Sequence, residues 1–230
     1  MKPFKSIFLA LSTCLLGSLI ATTSTQAQRI EDQPLPAHFV AGLEAYTANN
    51  LPLAYAEFLA AANEGHLDSQ FNVALMHENG IGVEKDLKEA LAWYRKASLK
   101  GSSAAQFNLG VLYENGRGTE VNFAEANEWY RQAAVQGDPM AIGNLGMLYI
   151  RGDGVPVNKV AGIALLLQSA TLDSSPANNA KQNISGTQGL TPQMIQEAQA
   201  LVDQMDKAKN LLVPLDQHLT LANIPKYPGY

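Results

Sequence analysis

The sequence predicts an all-α fold, an α-solenoid of stacked antiparallel helix pairs, and three observations predict it. Gly65, Gly101 and Gly137 fall 36 residues apart, as do Ala61, Ala97 and Ala133 and then Phe58, Tyr94 and Tyr130. Residues 66–101 laid over 102–137 give 15 identities in 36, and 102–137 over 138–173 give 12. Within each unit two segments carry apolar residues at helical spacing, separated by a pair of glycines. A fixed period of this length marks a repeat architecture, in which each unit buries its apolar face against its neighbours.

Taken in order, residues 28–65 hold a first hairpin, Phe39 to Gly65, with a shorter turn: Tyr46 to Ala54 spans 8 residues where His77 to Ala90 spans 13. It reads as an N-terminal capping repeat. Repeats follow at 66–101, 102–137 and 138–173. Their first helices are marked by Phe71, Leu75 and Met76, then Phe107, Val111 and Leu112; their second helices run from Leu87 and Phe123 through Trp93-Tyr94 and Trp129-Tyr130. Gly80-Ile81-Gly82, Gly116-Arg117-Gly118 and Gly152-Asp153-Gly154 supply the positive-φ freedom that stops one helix and reverses the chain. Small residues mark the crossings, Ala74, Gly110 and Gly146 on first helices and Ala90, Ala126 and Gly162 on second helices. In the third unit Leu165-Leu166 replaces Trp-Tyr, so its second helix is expected to meet a further helix. Residues 174–205 read as degenerate capping helices, Ser175 to Ser185 and Pro192 to Met205, the latter capped by Thr191. With Pro214, Pro225 and Pro228, residues 206–230 read as an extended tail.

Composition bounds the function. The chain has 230 residues, with 16 Lys plus Arg against 21 Asp plus Glu, so no basic surplus exists for nucleic acid. Lys2 and Lys5 precede an apolar run, Ile7 to Ala21, and then Thr25-Gln26-Ala27, the layout of a signal peptide over 1–27 cleaved after Ala27. That run is shorter than the ~20 residues of a spanning helix, so no stable membrane insertion is expected after cleavage. The single cysteine, Cys14, lies within it; a lipoprotein anchored through Cys14 is the lesser alternative.

These residues resemble the Sel-one-like repeat (SLR) family, a branch of the tetratricopeptide-like helical repeats. Asn108-Leu109-Gly110-Val111-Leu112-Tyr113-Glu114-Asn115-Gly116-Arg117-Gly118 and Ala126-Asn127-Glu128-Trp129-Tyr130-Arg131-Gln132-Ala133-Ala134 carry the likeness, which is best over 66–173. The resemblance implies a right-handed superhelix whose concave surface, built from first helices, binds a peptide segment or helix of another protein. It implies that Asn72, Asn108 and Asn144, 36 apart, face that groove. An amide donates and accepts at once, so such a ladder could hold a partner's backbone; equally, each amide could bond a nearby helix carbonyl and fix the stacking. Glu78 and Glu114 could extend the surface or serve as solvated helix ends.

No catalytic constellation is found. His38, His66, His77 and His218 have no metal spacing, the glycine pairs lack the context of a phosphate loop, and neither a cofactor nor a metal is expected. No Ser of the segment after Ala27 has a Lys three residues on, which argues against the β-lactam or cell-wall hydrolase activity described for some cysteine-rich relatives. The expectation is a non-catalytic adaptor or scaffold, periplasmic or secreted, in a bacterial envelope; a subunit of an export or assembly complex, held as an outer-membrane lipoprotein, is the other alternative.

Overall fold

The computed structural model describes residues 35–222, which form eleven helices and no strand. The signal-peptide reading of 1–27, with Cys14 and the cleavage after Ala27, lies outside the described residues, as does 223–230. No described helix is long and apolar enough to cross a membrane.

Four antiparallel pairs come first: α1 (Ala37–Thr47) with α2 (Leu51–Asn63), α3 (Leu67–Asn79) with α4 (Leu87–Leu99), α5 (Ser103–Asn115) with α6 (Phe123–Val135), and α7 (Pro139–Arg151) with α8 (Lys159–Leu172). Each second helix also packs on the first helix of the next pair, and the succession is an α-solenoid. Three shorter associations close the chain: α9 (Ala180–Gly186), α10 (Pro192–Lys207) and α11 (Leu212–Ala222) all rest on α8.

The period sets the helix ends. His66, Ser102 and Asp138 cap the first helices, and Asp86, Asn122 and Asn158 the second, each side chain accepting from a backbone N–H of the first turn. Such a cap stabilises by about 1 kcal/mol. Backbone N–H groups of Glu89 and Lys88 hold the Asp86 carboxyl below its ordinary value, whereas burial raises that of Asp138. At the other end Gly80, Gly116 and Gly152 take left-handed φ of 71°, 63° and 80° and donate to Met76, Leu112 and Leu148. In the tighter first turn Asn49 does the same work with φ 59°.

The crossings need their small residues. A β-carbon on Gly110 would lie 2.6 Å from the Tyr130 ring, one on Gly146 2.8 Å from the Gly162 carbonyl, and one on Gly42 2.6 Å from the Phe58 ring. Trp93, Tyr94, Trp129 and Tyr130 are buried and fill the space between the helices. In α8 every residue from Val160 to Leu166 is buried, because α7 covers one side and α9, α10 and α11 the others.

Two departures from the sequence reading occur near the C-terminus. The helix expected from Ser175 starts at Ala180, because the Asn178 side chain folds back onto the carbonyls of Ser169 and Asp173 and holds 173–179 in a turn. The tail expected to be extended over 206–230 contains α11. Pro214 is its third residue, where a backbone N–H would have no intrahelical acceptor, so the proline costs no hydrogen bond. Asn210 accepts from the Leu212 N–H, and Leu212 and Leu215 are buried.

Candidate partner-binding face

The first helices of the three repeats, α3, α5 and α7, present Phe71, Phe107, Val111, Met147 and Ile150, all partly buried against the core and partly open. Phe71 and Phe107 lean on Tyr94 and Tyr130, with ring centroids 5.7 and 6.1 Å apart. Packing in this way fixes the apolar row at the crossing rather than leaving it on mobile side chains.

The three asparagines are half-buried at equivalent positions but do different things. Asn144 donates 3.0 Å to the Tyr130 hydroxyl of the preceding pair. Asn108 donates 2.8 Å to Ala104 O one turn back in its own helix. Asn72 makes no side-chain hydrogen bond among the described residues, and the preceding pair carries Phe58, without a hydroxyl, where Tyr94 and Tyr130 stand. Asn79 and Asn115 each bond the carbonyl one turn back. An amide so bound keeps its oxygen as an acceptor.

Glu78 and Glu114 differ from the expectation that they extend an open surface. Tyr94 donates 2.7 Å to Glu78 Oε2 while Arg117, from the next repeat, donates 2.8 Å to Oε1. Tyr130 donates 2.7 Å to Glu114 Oε2 while Arg151 donates 2.6 Å to Oε1. The carboxylate side chains are only 12% and 18% exposed. Burial first, then the carboxylate beside each ring, push both phenols well above their ordinary value, so they remain donors. The pair of acids therefore staples one repeat to the next. Arg151 also bonds Asp153, which stands where Arg117 stands one repeat earlier.

Sequence reasoning missed the arginines and two buried glutamines. Gln70 and Gln106 donate 3.1 Å to Ala62 O and Ser98 O, latching each first helix to the end of the preceding second helix. Their 36-residue spacing was the available signal. In the third repeat Ile142 takes this place, and Ile150 and Leu166 take the places of the acid and the tyrosine, so polar latches give way together to apolar packing. Among the described residues no group of three or more His, Cys, Asp or Glu is gathered as for a metal.

Stacked helix pairs with repeating latches define a helical-repeat protein. Its three central units match the Sel1 repeat over residues 67–102, 103–138 and 139–174. Solved relatives agree. A Sel1 repeat protein from Oxalobacter formigenes is 28% identical with a TM-score of 0.60, over 76% of this chain and 70% of that one. A protective antigen of uropathogenic Escherichia coli strains, displaying an SLR fold, is 25% identical with a TM-score of 0.62, over 84% of this chain and 48% of that one. No curated protein matches. Sel1 repeat proteins are generally protein-interaction scaffolds, without catalysis of their own.

Proposed function

We propose that this chain is an exported, non-catalytic adaptor of a bacterial cell envelope that captures a segment of another protein on its first-helix face. The observation that carries the reading is the apolar row Phe71, Phe107, Val111 and Met147, partly open at equivalent positions of consecutive repeats and flanked by the unspent amide oxygens of Asn108 and Asn115. Apolar side chains spaced along a row give affinity, and amide oxygens accept from a guest backbone. The Glu78 and Glu114 staples contribute indirectly: by fixing repeat to repeat they keep the row in one geometry, which lowers the ordering cost of binding. The leader-like residues 1–27 and the bacterial origin of the similar structures support the compartment.

The experiment has two arms. Mass spectrometry of the product in its native host is expected to give a mature chain starting at Gln28; retention of residues 1–27, or a lipid on Cys14, contradicts the soluble exported form. Purified chain fixed in an envelope fraction is expected to yield a discrete crosslinked protein, and turnover of β-lactams or cell-wall fragments would contradict an adaptor.

A further inference from the structure

Position 159 breaks the period in a way that opens a site. In each earlier pair the second helix begins with Leu51, Leu87 or Phe123, and the turn glycine of the following unit sits on it. A β-carbon on Gly82, Gly118 or Gly154 would come within 2.1 Å of Leu51 O, 2.3 Å of Leu87 O and 2.7 Å of Phe123 Cβ. The last repeat has Lys159 instead, and the helix that follows α8, α9, has 7 residues where α7 has 13. A pocket of about 490 Å³ is left between α7 and the α9 segment, within the usual size of ligand sites.

Met147 and Ile150 give this pocket an apolar wall, and Gln182, Asn183 and Thr187 give it polar groups. Lys159 is the one charged residue lining it, and it forms no ion pair among the described residues. Its ammonium donates 2.7 Å to Gln188 O, which steadies it and leaves two further N–H donors. The side-chain amides of Gln182 and Asn183 make no hydrogen bond among the described residues. Met147 continues the positions of Leu75 and Val111, so the pocket is where the first-helix row runs into the α9 segment.

We propose that this pocket receives the free carboxy-terminus of the partner polypeptide, its carboxylate on Lys159 and its apolar last side chain against Met147 and Ile150. A lone cation with no acidic neighbour selects a carboxylate, and the blocked end of the row selects a chain end over a passing segment. The inference rests on the partner-binding reading above.

The test is titration of the isotope-labelled full chain, followed by NMR, with an N-acetylated pentapeptide ending in Ala-Leu, as free acid and as amide. The free acid is expected to shift the amides of Ile150, Lys159 and residues 182–188, with roughly tenfold weaker binding of the amide, the loss of one charge-assisted bond. Lys159→Leu, which restores the residue type of the earlier repeats, should keep the fold and abolish the acid preference, while Lys159→Arg should keep it. Equal binding of acid and amide, or an unchanged preference in Lys159→Leu, overturns the proposal. Octanoate binding as tightly as the peptide acid overturns the assignment to a polypeptide. An envelope partner crosslinked at Val111 but never at Gln182 overturns this site and leaves the adaptor reading standing.

Discussion

Tyr94 donates its hydroxyl 2.7 Å to Glu78 across the crossing of α3 and α4, and the other oxygen of that carboxylate takes Arg117 from the following repeat at 2.8 Å. One side chain thus joins two helices of its own unit and the unit after it. Glu78→Ala should cost about 2–3 kcal/mol in urea unfolding, because it strands a buried phenol and a guanidinium together. Arg117→Ala should cost under about 1 kcal/mol, since Arg117 is 38% exposed and water replaces much of what is lost. Equal losses would contradict the staple.

The turn glycines separate two costs. Gly101 has φ 91° and open space where a β-carbon would go, whereas Gly118 has φ 76° and would drive that carbon to 2.3 Å from Leu87 O. Gly101→Ala should therefore lose about 1 kcal/mol from backbone strain alone. Gly118→Ala should lose roughly 3 kcal/mol or more, since two repeats must part as well. Thermal melting of the two variants decides it.

Much of this was legible in advance because its cause is local or periodic. Gly80, Gly116 and Gly152 announce the turns, Ala90 and Ala126 the close crossings, and Trp93-Tyr94 and Trp129-Tyr130 the second helices. The role of Glu78 was not legible, because its partners lie 16 and 39 residues away and the second arginine shifts from position 117 to 151 between repeats. Nor was α11, whose Pro214 reads as a breaker unless the helix start is already known. The difference between Asn72 and Asn144 goes with Phe58 lacking the hydroxyl of Tyr130, and is visible only once the helices are stacked; nothing in the structure explains why Asn108 bonds Ala104 O instead of Tyr94.

Arg131 of α6 holds Asp216 of α11 at 2.6 and 2.7 Å, bridging 85 residues. Asp216 is 51% exposed, so the pair contributes under about 1 kcal/mol. Asp216→Ala should accelerate amide exchange several-fold in 212–222 and leave 67–115 unchanged. Uniform acceleration along the chain would show that α11 is integral to the core.

Acid should loosen the first repeat through His66. Its Nδ1 accepts from the Ser69 N–H as the cap of α3, and burial, opposed by Asp68, lowers its pKa from 6.5. A group whose folded value is depressed in this way, and which is neutral in use, loses stability as pH falls below 6.5. His38 runs the other way: the bond to Glu57 raises its value, so its contribution is complete below 6.5 and fades as pH rises, but its side chain is 47% exposed and water screens the pair. His66→Asn, which keeps a cap that cannot be protonated, should flatten the acid limb of the stability curve between pH 7.5 and 5. An identical slope in wild type and variant would contradict the assignment.

The most direct measurement is a photocrosslinking scan in the native envelope, with the reactive residue placed in turn at Phe71, Phe107 and Val111 on the first helices and at Arg95 and Lys96 on the exposed side of α4. The account predicts the same discrete protein adduct from the three first-helix positions and none from the other two. Adducts from Arg95 and Lys96 alone, or no adduct from any position, would contradict it.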